Sequence, residues 1–289
     1  MSSEIKKISI EDKDYPGILK KIKNPPKALY FRGKILPREN CFAVVGTRLC
    51  SHYGKEISLE IAGQLAENDL TIVSGLAPGI DTFAHLAAVE RKKRTIAVLG
   101  TGLDEKSIYP KSNLNLVQKI LENDGCLISE YPPGTPGSKF TFPQRNRIIS
   151  GLSLGVLVVE AKEKSGSLNT ALWAKKQSKK IFAIPGPIHS LNSKGPNYLI
   201  KNGATLVEEA NDILENLGFS KVENKDIKLE GETIEENIIL ESLKESALEV
   251  DKIIEKTKLP AAKVAGSLAI LEIKGKIRNL GGNVFSLSR

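Results

Sequence analysis

Short apolar runs, several of which end at glycine, recur through residues 41–186 and restrict the fold more than any other feature. Six such runs have the sequences CFAVV, TIVSG, TIAVLG, CLISE, GVLVVEA and KIFAIPG. Amphipathic stretches such as 55–67 and 80–91 fill several of the intervals. Continuous apolar strands separated by helices are typical of a parallel sheet that is covered on both faces. The pattern therefore predicts a doubly wound α/β domain of Rossmann type.

The segments on either side of this repeat complete the predicted domain organisation. Residues 1–40 are interrupted by prolines around a strand-like segment, ALYFRG, and we expect them to form an N-terminal arm. An extended Rossmann-like domain with a mostly parallel sheet is predicted for residues 41–218. The polar stretch 219–228 is typical of a linker. Residues 229–289 contain three helical stretches and then a Gly-Gly pair suited to a tight turn, which predicts a winged-helix domain.

Net charge separates the two predicted domains. The chain has a formal net charge of +8, with 42 Lys and Arg residues against 34 Asp and Glu residues. Residues 229–289 hold 9 basic and 10 acidic side chains, so the positive excess lies in the rest of the chain. A polyanion is therefore expected to prefer the main body. The helix in the recognition position carries Lys263 and Lys274 as its cations, which leaves DNA binding and protein docking both open.

Hydropathy and cysteine usage indicate the compartment. The chain has no apolar run of transmembrane length, and its first residues, MSSEIKKISIEDKD, lack the apolar core of a secretion signal. Its three cysteines, at positions 41, 50 and 126, show no CxxC spacing, so neither a disulfide framework nor a zinc site is expected. We therefore expect a soluble cytoplasmic protein without a membrane segment.

The stretch 140–170 has the composition of an anion site. A basic segment with aromatic residues, FTFPQRNR, precedes the apolar run 156–159, which leads to the small-residue turn Ser165-Gly166-Ser167. Arginine forks bind phosphates, exposed aromatic rings stack on unpaired bases, and free N–H groups at a helix start attract anions. The interleaved pattern favours single-stranded nucleic acid over a duplex, although the phenylalanines would also fit a hydrophobic core.

Other motifs argue against several enzyme classes. Gly100-Thr101-Gly102 lacks the third glycine of the dinucleotide fingerprint, and the chain has no GxxxxGK[ST] phosphate loop. Ser153 lies in a GxSxG motif, but this motif precedes a strand, whereas a hydrolase nucleophile follows one. His85, one helical turn after Asp81, is expected to be a buried hydrogen-bonding residue, because no metal-binding spacing accompanies it. No cofactor and no metal ion are therefore expected.

The ordered motifs of the chain resemble the DNA-processing protein A family, known as DprA/Smf. The matching segments are VVGTR, SGLAPGIDTFAH, TIAVLGTGLD, LISEYPPGT, FPQRNRIISGLS, VVEA, SGSLNTA, IFAIPG and LIKNGA. They cover nearly all of residues 41–210 in the family's order. The resemblance implies a non-catalytic protein that binds single-stranded DNA and loads the RecA recombinase onto it during natural transformation and homologous recombination. It also implies a homodimer formed through the Rossmann-like domain.

The resemblance further implies a basic DNA-binding pocket, with no catalytic residue. By position, its members are Arg48, Lys139, Phe142, Arg145, Asn146, Arg147, Ser165, Gly166, Ser167 and Thr170. Within this set the resemblance implies that the arginines contact DNA and that the Ser-Gly-Ser turn holds a phosphate. The chain departs from the family pattern at Asn169, at Ser178-Lys179-Lys180 and at Gly195-Pro196-Asn197, and we expect these departures to change local details of the pocket.

Two other functions stay open on the sequence alone. Related Rossmann-like proteins include phosphoribohydrolases, which cleave nucleoside monophosphates beside a glycine-rich turn. Glu160 and Glu163 are the candidate acid and base for such a nucleotide-processing enzyme, although Glu160 also suits a structural role at a strand end. A transcription regulator that acts through the winged helix is the third alternative, and the lack of net positive charge there argues against it.

Overall fold

The computed structural model describes residues 4–220, 230–244, 246–279 and 281–287. The chain divides into two compact units, Met1–Lys221 and Val222–Arg289. Residues 221–228 of the predicted linker, 219–228, lie outside the described residues. Among the described residues, no helix combines the length and the apolar character needed to cross a lipid bilayer.

Strands and helices alternate through the described part of the first unit. The strands are β1 (Lys6–Ser9), β2 (Ala28–Gly33), β3 (Cys41–Val45), β4 (Thr71–Ser74), β5 (Thr95–Leu99), β6 (Cys126–Ser129), β7 (Gly155–Val158), β8 (Lys180–Ala183) and β9 (Thr205–Leu206). The helices are α1 (His52–Glu67), α2 (Ile80–Glu90), α3 (Leu114–Glu122), α4 (Thr141–Leu152), α5 (Gly166–Lys176), α6 (Lys194–Lys201) and α7 (Ala210–Leu217).

These strands form one sheet in the order β1-β2-β6-β5-β4-β3-β7-β8-β9. In the part of this order that runs from β6 to β9, every strand is parallel to its neighbours. At the edge of the sheet, β1 pairs antiparallel with β2, and β2 pairs antiparallel with β6. The six apolar runs of the sequence are β3 to β8, so the predicted doubly wound, mostly parallel sheet is confirmed. Residues 1–40, expected to be an arm, contribute β1 and β2 to the sheet.

Helices cover both faces of the sheet, which explains why its central strands are apolar along their whole length. In β5, Val98 shares a core cluster with Ile148 of α4, whereas the next residue, Leu99, packs with Val117 of α3. Adjacent residues of a strand point to opposite faces, so α3 and α4 lie on opposite sides of the sheet. Burying each such aliphatic side chain contributes about 1.5–3 kcal/mol to stability.

The second unit has the winged-helix order that the sequence predicts. Its elements are α8 (Ile234–Ser242), β10 (Leu248–Glu249), α9 (Val250–Thr257), α10 (Ala261–Ile273), β11 (Ile277–Asn279) and β12 (Val284–Leu287). The strands form an antiparallel sheet in the order β10-β12-β11. Gly281 and Gly282 lie between β11 and β12 with φ angles of +92° and +61°, which glycine adopts without the clash of a Cβ atom.

Both lysines of the predicted recognition helix are bound in ion pairs. Lys263 Nζ lies 2.5 Å from Glu235 Oε1, and Lys274 Nζ lies 3.0 Å from Glu232 Oε2 and 3.1 Å from Glu236 Oε1. The acidic residues are at or just before the start of α8. The cations of this helix are therefore neutralised within the unit.

His85 is a buried hydrogen-bonding residue, as predicted. It lies in α2, and its Nδ1 is 2.8 Å from Thr95 Oγ1 of β5. Burial, and then the charge of Arg145, lower the pKa of the imidazole to about 3, so the ring is neutral at physiological pH. No group of three or more potential metal ligands occurs among the described residues.

Candidate nucleic-acid interface

The order of the strands reverses between β3 and β7. From β3 the chain proceeds through β4, β5 and β6 toward one edge, and from β7 it proceeds through β8 and β9 toward the other. Ligands of doubly wound sheets bind outside the carboxyl ends of the strands at such a switch point. Here the loop after β3 lies against the loop after β7, because the N–H of Thr47 donates to the carbonyl of Glu160 at 2.7 Å.

Glu160 fixes the loop that follows β3. The residue is 4% exposed, and its carboxylate accepts from the Ser51 N–H at 2.8 Å, from the Ser51 hydroxyl at 2.5 Å and from the Asn192 amide at 3.3 Å. The Ser51 hydroxyl also accepts from the Gly54 N–H at 3.1 Å, which caps α1. Charge-assisted hydrogen bonds are about twice as strong as neutral ones, so the residues around Arg48 are held firmly.

Arg48 projects from this fixed loop as an exposed cation. Its guanidinium carbon lies 5.7 Å from the centre of the Phe142 ring, which in turn lies 6.1 Å from the ring of Tyr109. Such a cation–π contact contributes about 0.5–1 kcal/mol at an exposed site. Three residues before Phe142, the exposed Lys139 places Nζ 5.2 Å from the centre of the Phe140 ring, which is 67% exposed. Charge and aromatic surface therefore occur together here.

The basic aromatic segment of the sequence forms the first half of α4, which approaches the ends of β4 and β5 closely. A Cβ atom on Gly100 would lie 2.9 Å from the Phe142 ring, and one on Gly75 would lie 2.7 Å from the Arg145 guanidinium. Residues two apart on a helix do not share a face. Arg145 and Arg147, which the sequence prediction treats as a pair, therefore point in different directions.

Arg145 points into the sheet, which differs from the predicted phosphate contact. It is 5% exposed and donates to the carbonyls of Gly75, at 2.7 Å, and of Val98. Burial lowers the pKa of the guanidinium to about 10, and the opposing effect of the Asp81 carboxylate helps to keep the side chain charged. Because Nη1 donates to both of these strand-end carbonyls, the structure gives this arginine the role of joining α4 to β4 and β5.

Arg147 lies on a different side of α4 from Arg145 and is bound there by other partners. Its guanidinium donates to Glu130 Oε1 at 2.6 Å, to the Asn24 carbonyl at 3.1 Å and to the Gln144 carbonyl at 3.1 Å. Only 12% of its side chain is exposed. These contacts join α4 to the end of β6 and to the segment before β2. The predicted role of Arg147 in DNA contact therefore has little exposed surface to support it.

Asn146 connects α4 to the start of α5. Its amide nitrogen donates to the Gly166 carbonyl at 3.2 Å and to Asn169 Oδ1 at 3.4 Å, and its Oδ1 accepts from Arg145 Nε at 3.1 Å. Asn169, where the chain departs from the family pattern, therefore supplies an additional acceptor for Asn146. The departure changes the hydrogen bonding of the site without removing it.

The Ser165-Gly166-Ser167 turn begins α5. The Ser165 hydroxyl accepts from the Ser167 N–H at 3.4 Å and lies 2.8 Å from the Ser167 hydroxyl. Gly166 is exposed, and a Cβ atom placed on it would meet none of the described atoms within 4 Å. Open space before a helix N-terminus suits an oxyanion, because N–H groups and the positive end of the helix dipole point there. Ser167 and Thr170 are buried.

Two buried acidic residues support the interface by fixing strand-end loops, a role that the sequence left open for Glu160 and did not indicate for Asp81. The carboxylate of Asp81 accepts from the N–H groups of Gly75 at 3.1 Å and Ala77 at 3.4 Å. Burial raises its pKa, and the nearby charge of Arg145 opposes that rise. Glu160 positions the β3 loop. One sequence signal is common to both residues. Glu160 is the first acidic residue after the apolar strand β7, and Asp81 is the first after β4 and its glycine-containing loop.

Replacing Arg145 with alanine is expected to destabilise the first unit rather than only to weaken a contact with DNA. The change leaves the carbonyls of Gly75 and Val98 without this donor, and each buried acceptor that loses its partner typically costs about 1–3 kcal/mol. Urea unfolding followed by the fluorescence of Trp173, the one tryptophan of the chain, measures the loss.

The exposed Lys139→Ala variant is the matched control for this measurement. Because Lys139 is exposed, its loss is expected to change the free energy of unfolding by less than about 0.5 kcal/mol. Equal stability of the Arg145→Ala and Lys139→Ala variants would show that Arg145 does not have the buried structural role described above.

Comparisons with known proteins agree over nearly the whole chain. The family model described as DNA recombination-mediator protein A matches residues 6–218, and the one described as DprA winged helix domain matches residues 225–283. Protein Smf of Escherichia coli (strain K12) is 39% identical over 296 aligned residues, covering 98% of this chain and 77% of the relative. DNA processing protein DprA of Streptococcus pneumoniae is 47% identical over 223 residues, covering 76% of this chain and 78% of the relative.

Solved structures show the same similarity. The X-ray structure of DprA from Streptococcus pneumoniae superposes with a TM-score of 0.69 at 43% identity and covers 76% of each chain. A structure of DprA from Helicobacter pylori, described for its single-stranded DNA binding mode, gives a TM-score of 0.66 at 32% identity, covering 75% of this chain and 98% of that one. The chain therefore belongs to the DprA/Smf family of DNA-processing proteins.

Proposed function

We propose that the protein binds single-stranded DNA at the carboxyl ends of β3 and β7. The observation that carries this proposal is the exposed Arg48 guanidinium stacked on Phe142 at the switch point of the sheet. The open N-terminus of α5 at Gly166 adds an oxyanion position to the same region. The similarity to the Helicobacter pylori protein, whose structure concerns single-stranded DNA binding, supports the same ligand.

The chemistry of the site favours an unpaired strand. Phe142 is half-buried and Phe140 is exposed, and aromatic rings of this kind stack on bases that are free of a partner strand. A phosphate bound by Arg48 or by the N–H groups of α5 supplies affinity without reading sequence. We therefore expect binding that depends weakly on sequence and strongly on salt.

The Arg48→Ala variant is expected to bind an oligothymidylate about 10- to 100-fold more weakly than the unaltered protein at low salt. Hydrogen bonds to charged groups contribute about 1.5–3 kcal/mol, and the variant also loses the cation that stacks on Phe142. Fluorescence anisotropy of a labelled oligonucleotide measures the affinity, and a duplex of the same length measures the preference for single strands.

Arg38→Ala is the control for Arg48→Ala. Arg38 is exposed and precedes β3, so it lies at the opposite end of the same strand from Arg48. Its loss removes an equal charge and is expected to leave binding within about twofold, because an exposed charge far from the ligand contributes little. Equal weakening in the two variants would reject the strand-end site.

We also propose that the protein acts without catalysis. A nucleotide-processing enzyme would need a free acid and base beside the β7 loop, and the carboxylate of Glu160 is already bound by Ser51 and Asn192. Glu163 is exposed in the same loop. Chromatography after incubation with nucleoside monophosphates is expected to detect no free base. Base release that disappears in a Glu160→Gln variant would refute the proposal.

The bound strand is proposed to be a substrate for loading of the RecA recombinase, in natural transformation and homologous recombination. Membership of the DprA/Smf family supports this role. On single-stranded DNA covered with a single-strand-binding protein, the protein is expected to shorten the lag before RecA hydrolyses ATP. The Arg48→Ala variant is expected not to shorten it, because loading requires the bound strand. An unchanged lag with the unaltered protein would exclude the loading role.

A homodimer formed through the Rossmann-like unit is proposed as the acting form, in the cytoplasm. Sedimentation equilibrium is expected to give twice the 31.5 kDa mass of one chain. The mass of a single chain at micromolar concentration would be incompatible with it. The domain boundaries predicted from the sequence, 1–40, 41–218, 219–228 and 229–289, are likewise proposals, which limited proteolysis followed by mass spectrometry tests.

A further inference from the structure

The net positive charge of the first unit comes from two segments that lie outside the loops after β3 and β7. Residues 1–40 hold 10 basic and 5 acidic side chains, and residues 175–180 hold four lysines and no acidic residue. Together they carry the whole of the +9 excess found before residue 229. A single strand-end pocket does not require charge at these positions.

The fold brings these two segments together beside α4. Leu19 and Ile22 pack against α4, where a Cβ atom on Gly151 would lie 2.7 Å from Leu19. The Arg147 carbonyl of α4 accepts from the Gln177 amide at 3.0 Å, just after α5 ends, and the Arg147 guanidinium donates to the Asn24 carbonyl at 3.1 Å. Residues 19–24 and the end of α5 are therefore neighbours on one surface.

Four lysines lie on this surface: Lys21, Lys23, Lys176 and Lys179. Among the described residues, none of the four has a carboxylate within 4.0 Å. The carboxylate of Asp12 in the same segment accepts instead from the Ser9 N–H at 2.6 Å. Burial, and then the nearby charge of Lys21, lower the pKa of Lys179, which is half-buried. Cations gathered without counter-charges attract a polyanion.

Trp173 adds an aromatic surface among these lysines. It is half-buried in α5, and Lys176 Nζ lies 4.9 Å from the centre of its ring. Proteins that bind single strands combine a positive groove for the backbone with aromatic rings on which bases stack. The same combination of charge and ring that occurs at Arg48 and Phe142 therefore occurs a second time, at the other end of α5.

We propose that single-stranded DNA continues from the strand-end pocket along α5 onto the surface formed by Lys21, Lys23, Lys176 and Lys179, where a base stacks on Trp173. This inference rests on the proposed function and extends its binding site. At a rise of 1.5 Å per residue, Trp173 lies about 10 Å and Lys176 about 15 Å along the helix from Gly166. At about 3.4 Å for each stacked nucleotide, about three to five nucleotides cover that distance.

Oligothymidylates of two lengths test the proposal with the full-length protein. A length of about 2 nucleotides is shorter than the path from Gly166 to Trp173, and a length of about 16 nucleotides is at the upper end of the site sizes of single-strand-binding folds. Because Trp173 is the one tryptophan of the chain, its fluorescence reports on this surface directly. The longer oligonucleotide is expected to quench Trp173, and the shorter one is expected to bind without quenching. Anisotropy of the labelled oligonucleotides measures both affinities.

The double variant Lys21→Gln with Lys176→Gln is expected to lower the salt dependence of binding the longer oligonucleotide. For single strands each phosphate contact contributes about 0.7 to the slope of log K against log salt, so the slope should fall by about 1.4. Affinity for the longer oligonucleotide at low salt should fall about tenfold, and affinity for the shorter one should not change. Lys92→Gln with Lys119→Gln removes two exposed lysines, one from the turn after α2 and one from α3, and is the matched control.

The outcomes separate this inference from the function on which it rests. If the longer oligonucleotide binds, but Trp173 is not quenched and the two double variants have the same slope, the lysine surface is not part of the site. If Arg48→Ala binds both lengths as well as the unaltered protein, the strand-end pocket itself is wrong. Loss of slope and affinity in Lys21→Gln with Lys176→Gln, and not in its control, would establish the extended path.

Discussion

The interface depends on the close approach of α4 to the ends of the central strands. Gly75 and Gly100 permit this approach, because a Cβ atom on either would lie within 3 Å of Arg145 or Phe142. With α4 in this position, Phe142 lies under Arg48 and Asn146 reaches the start of α5. The first half of one helix therefore sets the relative positions of three separate loops.

The charged residues of this region form two groups, one buried and structural and the other exposed and available to a ligand. Arg145, Asp81 and Glu160 are buried, and each is bonded to backbone groups that fix a strand-end loop. If one of these side chains turned outward, its buried backbone partners would lose a hydrogen bond, which costs about 1–3 kcal/mol for each group left unpaired. Arg48 and Lys139 are exposed and remain available to a ligand. A motif match alone does not distinguish the two groups.

The sheet could be predicted because six apolar runs fix its strands, and the family could be recognised from motifs at their ends. The orientation of α4 could not. Its first half, FTFPQRNR, has no apolar periodicity of 3.6 residues, so the sequence does not show that Arg145 and Arg147 lie on different faces. The partners of Arg145 are 70 and 47 residues away in the sequence, and only the folded sheet brings them together.

Hydrogen–deuterium exchange of the full-length protein with an oligothymidylate tests directly whether DNA is bound where β3 and β7 end. Protection is expected in residues 46–51 and 165–168, because their backbone N–H groups border Arg48 and the start of α5. Protection in residues 46–51 and 165–168 that disappears in the Arg48→Ala variant would support DNA binding at these strand ends. Saturating DNA that protects only residues 230–279 of the winged-helix unit would contradict it.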